Sequence, residues 1–133
     1  MIYLDSCALM KLIRTEEHST RLTAHVTGSP AILLSSELAR VEVGRALIRN
    51  GEREEVRKKA GSLLDKIAQL PLAAAIRPAA ELPGTRLRSL DALHLATAQA
   101  LGSALTQFIT YDKRLAQAAL DAGLPVVTPG EDV

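Results

Sequence analysis

Short apolar runs, each halting at a polar residue or a turn and followed by an amphipathic stretch, recur along the whole chain. That alternation is the strongest constraint on its fold. Met1-Ile2-Tyr3-Leu4 stops at Asp5, Ala31 to Leu34 at Ser35, Gln107 to Thr110 at Tyr111-Asp112, and Val126 to Thr128 at Pro129. Each reads as a strand. Between them, apolar residues three and four apart predict helices: from a Ser6 cap through Ile13, over 16–27, from a Ser35 or Ser36 cap to Asn50, and over 52–69, 90–101 and 113–122. Pro71 to Ile76 reads as a further, alanine-rich strand, and 78–84 as a short helix and turn. Strands alternating with helices predict an α/β fold of three layers, α/β/α, with a mostly parallel central sheet of four to five strands. No repeat, low-complexity tract or linker interrupts the sequence, so one domain over 1–133 is expected.

Apolar residues make up 47%, enough for a core, yet no run approaches a membrane span. The opening residues have no basic flank and reach a carboxylate at position 5, unlike a secretory signal. A single cysteine allows neither an internal disulfide nor a cysteine-rich zinc site, so a reducing, cytoplasmic setting is expected. The aromatics are only Tyr3, Phe108 and Tyr111. Contact with nucleic acid would therefore run through phosphates and Arg or Lys rather than through stacking.

In an open parallel sheet, ligands bind beyond the carboxyl ends of the strands. Asp5 directly follows the first strand, and Asp112 lies just past the strand ending at Thr110. Asp91 falls in the first turn of a helix, and Glu42 on the helix after the second strand. Glu42 and Asp91 sit among apolar neighbours. Burying an unpaired carboxylate costs several kcal/mol, and burying several together costs more. A divalent cation would relieve both costs, and oxygen ligands suit a hard ion such as Mg²⁺ or Mn²⁺. Each acid also has a local reading: Asp91 as a helix N-terminal acid, Asp112 as a cap, Glu42 as a partner of Arg45 or Arg49.

Four segments resemble a known family in order and at compatible spacing. Ile2-Tyr3-Leu4-Asp5-Ser6-Cys7-Ala8-Leu9 is similar to the opening of PIN-domain proteins, VapC-type toxin ribonucleases in particular. Arg40-Val41-Glu42-Val43-Gly44-Arg45-Ala46-Leu47, Leu90-Asp91-Ala92-Leu93-His94-Leu95-Ala96-Thr97-Ala98 and Phe108-Ile109-Thr110-Tyr111-Asp112-Lys113 resemble its later acidic segments. The resemblance implies that Asp5, Glu42, Asp91 and Asp112 form a pocket for Mg²⁺ or Mn²⁺. It also implies a metal-dependent endoribonuclease that acts as a toxin, is inhibited by a cognate antitoxin protein and commonly forms a homodimer. Cys7 stands where the family often has Ser or Thr.

Setting those four acids aside leaves 16 basic against 11 acidic residues. Lys11, Arg14, Arg88 and Lys113 are candidates for gripping an RNA backbone. Ser6, Thr110 and His94 are candidates for orienting the acids or their waters, with capping and core packing as their local readings. Three rivals stand beside the nuclease: a non-catalytic PIN-fold RNA- or protein-binding module, a metal-dependent nuclease acting on DNA, and a phospho-aspartyl enzyme. The last expects a second aspartate at position 7, where this chain has Cys7.

Overall fold

The structure, a computed structural model, describes residues 1–131. Five strands, β1 (Ile2–Leu4), β2 (Leu33–Ser36), β3 (Ala68–Leu70), β4 (Gln107–Ile109) and β5 (Val126–Val127), form one sheet in the order β3-β2-β1-β4-β5. Every pairing is parallel. β1 is central, and the chain winds outward from it in both directions. The gap between β1 and β4 is therefore the switch point where such sheets bind ligands.

Helices cover both faces. α1 (Ser6–Ile13), α2 (Ser19–Thr27), α3 (Leu38–Arg49) and α4 (Glu54–Lys66) pack on one face through Leu9, Leu22, Val43 and Leu64, against Ile2, Leu4 and Ile109 of the sheet. α6 (Ser89–Gln99) and α7 (Lys113–Asp121) cover the other face through Leu95, Ala98, Leu115 and Ala119, against Tyr3, Leu34 and Phe108. Alternate residues of β1 thus serve opposite cores, as strand geometry requires. α5 (Ala73–Ala80) rests on α6 through alanines on both helices.

The third strand is not where composition placed it. Pro71 to Ile76 was expected to be extended, but residues 73–80 form α5, and β3 lies just upstream at Ala68–Leu70. Alanine is the strongest helix former, so three in succession favour the helix. The helix expected over 52–69 stops at Lys66, where the chain turns directly into that edge strand. The helix expected from 16 begins at Ser19 instead, because Ser19 Oγ accepts the Glu16 N–H and donates to the Arg14 carbonyl, folding 14–19 into a turn.

A candidate metal-binding active site

The carboxyl end of the sheet gathers the acids. The cap expected from Ser6 falls to Asp5, whose Oδ1 accepts the Ala8 N–H at 2.9 Å and so starts α1. Asp5 is 3% exposed. Thr110 Oγ1, at the end of β4, donates to its Oδ2 at 2.5 Å, and the Cys7 thiol lies 3.0 and 3.1 Å from its two oxygens. Burial pushes the Asp5 carboxyl up despite these donors. Three groups from two chain segments thus hold one carboxylate in a fixed orientation at the switch point.

Thr110 also reaches the next acid, accepting the Asp112 N–H at 3.1 Å. Asp112 caps α7, its Oδ1 accepting from Arg114 and Leu115 N–H, which leaves Oδ2 without a capping bond. Its local reading as a cap therefore holds alongside its place in the cluster. Asp91 is half-buried in the first turn of α6. Burial pushes its carboxyl up, and the charges of Asp112 and Asp5 push it further, while His94 and Arg88 oppose the shift. Asp91 therefore lies within electrostatic reach of both Asp5 and Asp112, which come from other segments of the chain.

Glu42 has a different partner from the arginines considered above. His94 Nε2 lies 2.6 Å from Glu42 Oε1, and His94 Nδ1 lies 2.7 Å from the Tyr3 hydroxyl. His94 is 1% exposed, and the Tyr3 ring stacks on Phe108. Burial and the Asp5 charge push the Tyr3 phenol far up, so it stays an O–H donor. In the neutral imidazole the bonds run one way: Tyr3 O–H donates to Nδ1, and Nε2–H donates to Glu42. Glu37, the carboxylate just before α3, is engaged elsewhere, its Oε1 accepting the Leu72 N–H ahead of α5.

Two residues in this arrangement escaped the sequence reading. Tyr3 looked like an ordinary core aromatic, although its spacing of two from Asp5 places both on one strand face. Cys7, besides departing from the family pattern, reads as a small core or near-site residue, with none of its bonds legible. It donates toward Asp5, accepts the Tyr111 N–H at 3.3 Å, and is kept a thiol because burial and the adjacent Asp5 charge push it up. No hydrogen bond links Ser6 to the acids among the described residues. It opens α1 beside Asp5.

The oxygen donors fit a hard divalent ion, and Cys7, held as a thiol, does not compete as a soft ligand. Among the described residues no three His, Cys, Asp or Glu side chains make a ready-formed metal cage. Glu42 is turned to His94, and Asp112 caps its helix. Mg²⁺ needs no such cage, since it is commonly held by one or two carboxylates and completes its shell with water.

The candidate cations divide in two. Arg14 Nε lies 2.8 Å from Glu52, and Lys11 lies 3.6 Å from Glu16, so both are engaged with acids. Arg88, just before α6, and Lys113, at the start of α7, form no ion pair among the described residues.

Known proteins share this sequence and this fold. Residues 2–120 match the PIN domain family. The chain is 42% identical to Ribonuclease VapC35 of Mycobacterium tuberculosis, over 98% of each protein. In fold it resembles the crystal structure of M. tuberculosis VapC20, a sarcin-ricin loop cleaving toxin, with a TM-score of 0.77 at 14% identity, covering 97% of this chain and 100% of that one. It also resembles a chain of a toxin–antitoxin complex from Klebsiella pneumoniae, with a TM-score of 0.70 at 22% identity, covering 99% and 100%. A parallel sheet with acids at its switch point and a near full-length match to a VapC protein agree: the chain belongs to the PIN domain family, among its VapC-type members.

Proposed function

We propose that this protein is a divalent-metal-dependent endoribonuclease, the toxin of a toxin–antitoxin pair, with Asp5, Glu42, Asp91 and Asp112 as its ion-holding acids. The observation that carries the reading is that Asp91 lies within electrostatic reach of both Asp5 and Asp112, the three arriving from separate segments of the chain. The name Ribonuclease of the relative VapC35 supports the reaction class.

Asp5 and Asp91 would hold the ion directly, and Glu42 and Asp112 directly or through water. A bound Mg²⁺ or Mn²⁺ would supply activation of the attacking water and stabilisation of the departing oxygen. The chain's own residues supply the rest. Thr110 and Cys7 fix Asp5, His94 fixes Glu42, and Arg88 and Lys113 meet the phosphates of the substrate. Lys11 and Arg14 join them once released from Glu16 and Glu52.

The antitoxin and a second copy of the chain are the expected protein partners. Val41 and Ile48, seven residues apart on α3 and 62% and 50% exposed, give one apolar face for such contact. No helix is long and apolar enough to cross a membrane, and a cytoplasmic setting fits the single cysteine, a free thiol.

The test is cleavage of matched, end-labelled RNA and DNA strands in Mg²⁺, in Mn²⁺ and in EDTA, by the native protein and by Asp91→Asn. RNA cleavage that needs the ion and is lost in Asp91→Asn is the expected result. Cleavage that persists in EDTA, or that favours DNA, overturns the proposal.

A further inference from the structure

Two concavities, one lined by Asp112 and the other by Lys113 beside it, handle charge differently. The smaller, about 410 Å³, lies on the α1 side and includes Lys11, Arg14 and Glu16, whose charges are already paired. The larger, about 730 Å³, opens between the 82–87 loop, α6 and α7. Arg86, Lys113 and Arg114 line it, and none forms an ion pair among the described residues. Asp121 is the one carboxylate among its lining residues, and its Oδ1 accepts from Gln117 Nε2 at 2.9 Å. The lining therefore carries three cations against one carboxylate and is net positive.

Its walls are aliphatic: Leu82, Pro83 and Leu87 from the loop, Leu95 from α6 and Ala118 from α7. Two side-chain amides, Gln99 and Gln117, complete them. Leu95 lies one helical turn, about 5.4 Å, beyond Asp91, and Lys113 follows Asp112 directly. The lining of the cavity thus includes the residue that follows Asp112 and one a helical turn beyond Asp91.

We propose that this cavity holds one unpaired nucleotide of an RNA strand next to the bond that is cut, an inference that rests on the ribonuclease reading above. A base has two apolar faces and a polar rim. Aliphatic walls take the faces, and an amide matches donor–acceptor pairs on the rim. The flanking phosphates meet Arg86, Lys113 and Arg114. The volume lies within the range of roughly 300–1,000 Å³ usual for small-ligand sites. No aromatic residue lines the cavity, so base identity is read through Gln117 and Gln99 rather than through stacking. A duplex cannot present a base in this way without unpairing it.

The test measures binding and cutting separately. Labelled single-stranded RNA octamers differing at one central base, and the matching duplex, are titrated in EDTA against the native protein, Gln117→Leu and Arg114→Ala, followed by fluorescence anisotropy. Gln117 and Arg114 are exposed, and an unchanged melting temperature shows that each variant is folded. The native protein is expected to favour single strands and one central base by about fivefold or more. Gln117→Leu should erase the base preference, and Arg114→Ala should weaken all octamers and reduce the salt slope by about one. Folded variants that keep the native preference and salt slope overturn the proposal, as does equal binding of duplex, or a native protein that binds no RNA because the cavity receives a protein segment instead. The same octamers are then supplied with Mg²⁺. Selective binding without cutting would overturn the ribonuclease reading alone.

Discussion

His94 Nε2 and Glu42 Oε1 stand 2.6 Å apart, joining two helices that pack on opposite faces of the sheet. The Tyr3 hydroxyl holds the other side of the same imidazole. His94→Phe keeps the volume but strips Glu42 of its donor and leaves a buried phenol O–H unpaired. Activity should fall roughly 10- to 100-fold, as for other residues that orient metal-site ligands, with a stability loss of about 1–3 kcal/mol. Tyr3→Phe removes only the outer bond and should cost about 1 kcal/mol with a smaller loss of activity. Urea unfolding and kcat/KM on a labelled RNA check both. Equal activity in native protein and a folded His94→Phe would show that Glu42 needs no such partner.

Thr110 serves two acids with one hydroxyl, donating to Asp5 and accepting from the Asp112 N–H. Thr110→Val removes both bonds without changing shape. It should destabilise the protein by about 1–3 kcal/mol and weaken divalent-ion binding, measured by urea unfolding and calorimetry. Cys7→Ser replaces a weak donor with a stronger one at the same place and should leave ion binding at least as tight.

Burial of the acids, reinforced at Asp91 by the charges of Asp112 and Asp5, gives a pH signature. Asp5 and Asp91 have carboxyls pushed up in the folded protein. The folded state then binds protons more tightly than the unfolded state, so the ionised acids oppose folding at neutral pH. That opposition fades as pH falls through the raised values, and is gone below the unfolded value of about 3.9. In EDTA, Asp91→Asn should therefore be more stable than the native protein at pH 7 by roughly 1 kcal/mol, and the advantage should vanish toward pH 4. Thermal melts across that range test it. A variant less stable than the native protein at pH 7 would contradict the cost of burying an ionised Asp91 beside Asp112 and Asp5.

The layers, and the placement of Asp5 and Asp112 just past strands, could be read from the chain because each depends on local chemistry. A β-branched or leucine-rich run that ends at Asp5 or Thr110 fixes both a strand and what stands at its end. β3 could not be read in this way, since Ala68–Leu70 is an edge strand of three residues that follows α4 without a turn signal. The alanines after Pro71 gave a misleading apolar run, which the helix propensity of alanine resolves. Glu42's partner was out of reach for another reason. His94 lies 52 residues away and Tyr3 a further 39 before Glu42, so only the winding of the sheet brings them together. The bond of Cys7 to Asp5 could not be seen, because it depends on the first turn of α1.

The central claim is that Asp5 and Asp91, brought together from β1 and α6, hold a divalent ion. Titration calorimetry of Mn²⁺ into native protein, Asp5→Asn and Asp91→Asn at pH 7.5, with circular dichroism to confirm folding, tests it most directly. The account predicts saturable binding by the native protein, weakened roughly 10- to 100-fold or abolished in each folded variant. Equal Mn²⁺ affinity in all three proteins would contradict it.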